Sequence, residues 1–185
     1  MTPEGGRALR DVLGCYATGV AIISTRTGST GKGEHVAVTV NSFASVSLNP
    51  PLVLFSLGNT ANTLTYFQQA QCFAVNILAH QQESLSNVFA RPSSACWDTC
   101  TYSEGDNGCA LFADVLAQLE CSRYAEIDGG DHRTFFGQVT QMHLGRAADP
   151  LLFYRGRYGT YARSPFEKMP VPEGSLSDFA PNGWS

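Results

Sequence analysis

What most narrows the fold is a succession of short apolar, β-branched runs, broken at close intervals by Gly, Pro, Asn and Asp. VAIIST (20–25), HVAVTVNSFASVSL (35–48), LVLFSL (52–57), CFAVNIL (72–78), LAQLECSRYAEI (116–127), RTFFGQVTQMHL (133–144), LLFY (151–154) and RYGTY (157–161) all read as strands. The Gly-rich stretch from Gly28 to Gly33 reads as a hairpin loop, and Asn49-Pro50-Pro51 and Asp128-Gly129-Gly130-Asp131 as further turns. Helical spacing is confined to three places. Over 3–17, Leu9, Val12, Leu13 and Tyr16 recur at i, i+3, i+4, i+7, with Thr2 placed as a cap and Gly19 as a stop. The other two lie near 63–71 and 81–89, and 90–110 reads as a polar loop. Many short strands with few helices predict a mainly β fold, a barrel with covering helices. Residues 1–163 form the expected domain, and 164–185, with Pro165, Pro170, Pro172 and Pro181, an expected tail or arm.

Composition removes several function classes. Of 185 residues 43% are hydrophobic and only 15% charged, and 12 Lys and Arg against 16 Asp and Glu give a net charge of −4. A disordered chain shows the opposite bias, and a nucleic-acid binder needs a basic surface. No apolar run approaches the ~20 residues of a membrane span. The opening MTPEGGRALRDVLG lacks the charged-then-apolar layout of a secretion signal, so the expected compartment is cytoplasmic. Six cysteines carry no CxxC pair and no zinc-module spacing, so no metal is expected. Cys15, Cys72 and Cys121 read as small core residues, whereas Cys96, Cys100 and Cys109 fall together in the 90–110 loop, where a redox or metal role is conceivable. GSTGKG (28–33) is not GxGxxG, and Gly follows Lys32 where a phosphate loop needs Ser or Thr.

The segment 36–48 carries the first chemical signal. Val36, Val38, Val40, Ala44, Val46 and Leu48 suit a core-facing strand face, while Thr39, Asn41, Ser45 and Ser47 put short neutral donors and acceptors on the other. Such a face suits a flat, polar-edged heterocycle; a plain Ser/Thr-rich sheet face has the same pattern.

The run TVNSFASVSLNPPLVLFSL (39–57) resembles the flavin-binding signature of the flavin reductase family. The resemblance continues through LRDVLGCYATGVAIIST (9–25), FAVNIL (73–78), LAQLEC (116–121), GGDH (129–132) and YRGRY (154–158), in order over about 8–160. It implies an FMN-binding split β-barrel of Greek-key type, a homodimer with flavin near the interface, and NADH or NADPH as hydride donor. It also implies a reductase component that reduces FMN or FAD for a partner monooxygenase, reached through diffusible reduced flavin. The other readings are a flavin-binding split barrel without reductase activity or oxidising its own substrate, and a barrel for some non-flavin ligand.

Carried over by position, the resemblance places Thr39, Val40, Asn41, Ser42 and Ser45 against the isoalloxazine and ribityl chain, with Ser56 and Leu57 close by. Thr60 and Thr63 match the Ser/Thr pair for flavin phosphate. Asn59 and Asn62 stand where Arg or Lys is common, and Arg91 is the candidate replacement charge. Asn76 matches a strand lining the flavin; taken alone, an amide inside an apolar strand is a satisfied core group. His132 matches the histidine beside the nicotinamide and flavin rings, with a positioning or proton-handling role. Tyr154, Arg155, Arg157 and Tyr158 match a border of the nicotinamide-nucleotide site, where arginine contacts phosphate and tyrosine stacks. The 90–110 loop, with Trp97, Tyr102 and three cysteines, departs from the family pattern.

Overall fold

The structure, a computed structural model, describes residues 3–27, 33–91 and 94–162. The expected Thr2 cap, the centre of the 28–33 loop, and the 164–185 tail lie outside them. In chain order the elements are α1 (Pro3–Leu13), β1 (Thr18–Gly19), β2 (Ala21–Arg26), β3 (His35–Val40), β4 (Ala44–Leu48), β5 (Pro51–Gly58), α2 (Leu64–Gln69) and β6 (Cys72–Ile77). A 3-10 turn (His80–Gln82) leads into α3 (Glu83–Ala90), and a second 3-10 segment (Ser94–Thr99) precedes β7 (Tyr102–Glu104) and β8 (Ala110–Phe112). The chain then forms β9 (Ala117–Asp128), β10 (His132–Leu144), β11 (Leu151–Tyr154) and β12 (Arg157–Thr160).

Seven strands make one antiparallel sheet in the order β3-β2-β6-β9-β10-β5-β4, and β3 also approaches β5, so the sheet curls into a barrel. The barrel interior is aromatic. Phe55 stacks on Phe135 at 5.2 Å between ring centroids, and Phe67 and Phe73 meet Phe55 edge-on. Phe67 comes from α2, which thereby plugs the barrel. A second core lies on the other face of β2, where Ile22, Ala37, Leu78, Phe89, Phe112 and Leu151 pack under α3 and β11. Ile22 and Ile23 point into different cores because successive strand residues alternate faces, and this explains the unbroken apolar run there. Gly137, at a bulge in β10, has no room for a side chain: a Cβ would sit 2.2 Å from Phe73 Cζ and 2.9 Å from Cys121 Cβ.

Four expectations need correction. Residues 35–48 form two strands, broken at Asn41–Phe43, and β4 is an edge strand whose Val46 and Leu48 are exposed, Leu48 at 87%, not core residues. The first helix stops at Leu13, and its stripe of Leu9, Val12 and Leu13, continued by Tyr16, faces outward. Cys15 is exposed as well, and Cys72 is half-buried; Cys121 alone of the three lies fully in the core. The 90–110 segment is also less polar than expected, since Phe112, just beyond it, stacks with Trp97 from within it.

Candidate functional site

The register of β5 with β10 builds one end of the site. Antiparallel pairing sets Ser56 opposite Thr134, Leu57 opposite Arg133 and Gly58 opposite His132. The Ser42 hydroxyl donates to the Ser56 carbonyl at 2.9 Å and accepts from the Ser56 N–H at 3.0 Å, clipping the β3–β4 break onto β5. The Ser56 and Thr134 hydroxyls lie 2.9 Å apart. Past β5, the Asn59 N–H donates to the Asp131 carbonyl and its side-chain amide to the Gly130 carbonyl, both at 2.9 Å. Asn59 thus holds the turn that delivers His132, a role its position in the sequence did not suggest. His132 Nδ1 lies 2.6 Å from Asp131 Oδ1, while Nε2 reaches over Gly58, 3.8 Å from where a Cβ would stand. The hydrogen bond from His132, then its charge, holds the Asp131 carboxyl below the usual range, and Arg10 of α1 adds to the effect.

Thr63 precedes α2. Its side chain is buried and its hydroxyl has no partner, and it makes no capping hydrogen bond. A buried unpaired hydroxyl costs desolvation free energy unless a ligand satisfies it. Thr60 lies exposed in the preceding turn.

The other end is the β11–β12 hairpin. Its two-residue turn, Arg155 (φ 47°) and Gly156 (φ 75°), has both residues in the left-handed region, as tight hairpin turns require. The Arg155 N–H donates to the Gly14 carbonyl at 2.9 Å, and its guanidinium lies 5.4 Å from the centre of the Tyr154 ring and reaches Cys15 Sγ. Tyr158 and Ser86 of α3 share a hydroxyl contact of 2.9 Å, and the Ser86 carbonyl accepts from Thr39 at 2.7 Å. Ser86, unremarked in the sequence, is the joint between these two predicted sets.

A groove of about 1040 Å³ runs between α1 and β11. Asn41 and Ser42 line one part of it, Arg155 and Gly156 another, with Thr18, Arg10 and Tyr16 also on its walls. The Thr18 hydroxyl is a second buried polar atom without a partner. Arg155 also lines an adjoining groove of about 780 Å³ with Tyr154, Arg157 and Tyr158. The fold therefore brings Asn41 and Ser42 to the predicted nicotinamide-side residues, whereas Ser56, Thr134 and His132 lie on β5 and β10, joined to Ser42 through Ser56 and outside the groove lining.

Not every candidate is free to meet a ligand with its side chain. Asn76 is completely buried: its amide donates to the Ile22 and Ala110 carbonyls, and its oxygen accepts from Phe112 N–H and Gln118. It is the satisfied core amide, clamping β2, β8 and β9. The Val40 and Leu57 side chains belong to the barrel core, and the Thr39 hydroxyl is taken by α3. Ser45 is exposed on β4, and Arg91 is exposed just past α3. Among the described residues no group of three or more His, Cys, Asp or Glu could hold a metal, and no helix is long and apolar enough to cross a membrane.

The flavin reductase like domain model matches residues 13–162. The chain belongs to that family. It is 38% identical over 160 residues to the FMN reductase (NADH) SmoA of Agrobacterium fabrum, covering 86% of this chain and 88% of that protein. It is 38% identical over 158 residues to the reductase component of the flavin-dependent trigonelline monooxygenase of Acinetobacter baylyi, covering 85% of this chain. The chain spans about half the length of that relative and of a Rhizobium meliloti relative, 39% identical, bearing the flavin reductase name. Among solved structures, the NADH:FAD oxidoreductase of Streptomyces globisporus in complex with NAD and FAD fragments superposes with a TM-score of 0.81. That pair is 33% identical, over 89% of this chain and 98% of the other. The split-barrel expectation is borne out.

Proposed function

We propose that this protein is an NAD(P)H:flavin oxidoreductase that reduces FMN or FAD and supplies the reduced flavin to a partner monooxygenase. The observation that carries the reading is the shared groove, in which Asn41 and Ser42 face the Arg155–Gly156 turn. The residues fit a flavin. The buried, unpaired Thr63 hydroxyl is a ready donor to a phosphate, and Asn41 and Ser45 are exposed neutral groups for the ring and ribityl edges. When bound, flavin supplies the hydride acceptor and nicotinamide the hydride donor.

The chain's own contribution is placement. Asp131 orients the His132 ring through Nδ1, which leaves Nε2 as the nitrogen to meet the nicotinamide or a proton at the ring edge. Arg155 and Arg157 offer charge to the nucleotide phosphates, and Tyr154 a stacking face. Thr60 and Thr63 hold the flavin phosphate through hydroxyls, with no arginine or lysine beside them in 58–64. Neutral contacts of this kind suit a flavin that must leave after reduction.

A homodimer belongs to the same proposal. The α1 stripe and the β4 edge leave Val12 68% and Leu48 87% exposed, and Tyr16 and Leu13 wall the groove itself. A second copy covering both would bury them and close the groove.

The test is a steady-state assay of NADH and NADPH oxidation with FMN, FAD and riboflavin. Acceleration of nucleotide oxidation by an added flavin is the expected result. Flavin binding, seen by fluorescence quenching, with no acceleration by any pairing would sink the reductase reading. Delivery by diffusion is tested by separating this protein from a flavin-dependent monooxygenase with a dialysis membrane: continued turnover supports it, and turnover only on contact refutes it.

A further inference from the structure

Two cysteines outside the proposed site stand together. Cys72 opens β6, Cys109 immediately precedes β8, and their sulfurs are 3.8 Å apart. The loop that presents Cys109 is held firmly. The Asn107 side chain donates to the Phe73 carbonyl at 3.1 Å and accepts from the Cys109 N–H at 3.0 Å, and the Asn107 N–H donates to Glu120 Oε2 at 2.9 Å. The Gly105 N–H donates to the Cys109 carbonyl, and a Cβ on Gly105 would stand 2.6 Å from Glu120 Oε2. Cys72 is half-buried and Cys109 fully buried.

We propose that Cys72 and Cys109 are a redox dithiol, which a peroxide converts into an intramolecular disulfide tying β6 to the entry of β8. A disulfide places its sulfurs about 2.05 Å apart, so closure needs an approach of under ~2 Å. Cys72 is the attacking sulfur. The hydrogen bond donated by Cys109 lowers the Cys72 thiol to about 7, against the opposing pull of burial and Glu120, so a thiolate is present near neutral pH. The Cys72 thiolate attacks one peroxide oxygen and the O–O bond breaks, giving a Cys72 sulfenic acid and, after proton uptake, water. Cys109, the resolving thiol, then attacks Sγ of Cys72; the S–S bond forms, the S–O bond breaks, and the hydroxyl leaves as water with the Cys109 proton. Two thiols and one hydrogen peroxide become one disulfide and two waters. Reduced flavin meeting dioxygen yields oxidised flavin and hydrogen peroxide, so the proposed activity makes this oxidant. That source rests on the reductase reading; the chemistry of the pair does not.

Two of the other thiols serve as internal references. Cys15 is exposed, and Cys121 is fully buried with its thiol pushed up to about 12 by desolvation and then Glu120. The experiment treats the reduced full chain with a small excess of hydrogen peroxide, without nucleotide or flavin, then blocks thiols and maps peptides. The expected product joins the peptides carrying Cys72 and Cys109 with loss of two hydrogens, is reversed by dithiothreitol, and melts several degrees higher because a long loop is closed. Cys109→Ser should leave a sulfenic acid on Cys72 that dimedone captures, and Cys72→Ser should abolish both products. Peroxide that oxidises Cys15 yet leaves Cys72 and Cys109 alkylatable after denaturation would overturn the proposal, as would cross-links confined to Cys15 of two copies. Since no turnover is measured, failure here is separate from failure of the reductase assay.

Discussion

At the scale of single residues, the site rests on groups whose hydrogen bonds are not all spent inside the protein. Thr63 is the sharpest case: its hydroxyl is buried and unpartnered, so removing it deprives the fold of nothing. Thr63→Val should therefore leave thermal stability unchanged or slightly raised, while weakening FMN about tenfold, the loss of one hydrogen bond to a charged group. Riboflavin, which lacks the phosphate, should bind the variant and the parent alike. Fluorescence titration with both flavins checks this, and an equal loss for riboflavin would move Thr63 away from the phosphate. His132 makes its strong contact with an exposed carboxylate, so His132→Ala should fold normally. It should raise KM for NADH or lower kcat by roughly tenfold, the size of one lost positioning contact; kinetics identical to the parent would remove the residue from the site. By contrast, Asn76 satisfies four partners within the core, so its replacement by Ala should cost stability whatever flavin is present.

At the scale of elements, what the sequence made legible followed periodicity. The strand succession and the Gly130 turn before His132 are local patterns, and both were readable. What escaped were properties of contact across the chain. The break at Asn41–Phe43 comes from Ser42 clipping onto Ser56, 14 residues away, and Ser86, which no motif singled out, joins Thr39 to Tyr158 from the helix expected near 81–89. The bulge at Gly137 is of the same kind, since only the packed barrel reveals that Phe73 fills the space. Gly137→Ala should destabilise by about 2–4 kcal/mol, because both neighbours are core groups with nowhere to move, measurable as a lower denaturant midpoint. The junction of β2, β3 and β7 is also titratable. His35 lies between Trp97 and Tyr102 with Nε2 3.3 Å from Glu104, and burial, then Arg26, lowers its pKa against the opposing effect of Glu104. With the folded pKa depressed, the unfolded chain binds the proton first. The stability His35 contributes is therefore complete above about 6.5 and declines as pH falls below it, by no more than ~1.4 kcal/mol per pH unit. Urea unfolding from pH 7.5 to 5 should show that decline, and His35→Gln should flatten it.

At the scale of the whole molecule, the question is why a chain with so little charge leaves so much apolar surface uncovered. Leu9, Val12, Leu13 and Tyr16 would make an ordinary buried stripe if α1 packed on its own barrel, and their spacing alone suggests that it does. In the fold the helix turns the stripe outward, and the β4 edge likewise exposes Val46 and Leu48. An edge strand and an amphipathic helix with open apolar faces are aggregation hazards in a monomer but assets in a closed pair. A twofold pair would also put the groove walls Leu13 and Tyr16, at and just past the end of α1, under the partner's influence, so flavin affinity and association should be linked. The parent is expected to sediment as a dimer at micromolar concentration. Val12→Glu with Leu48→Glu should shift it to a monomer, because each buried carboxylate would lack a partner charge. If the groove is completed by the second copy, the monomeric variant should keep its far-UV circular dichroism and lose flavin binding by tenfold or more. A parent that sediments as a monomer, or a monomeric variant that binds flavin as the parent does, would separate the exposed stripe from the site and leave α1 without the role argued for it.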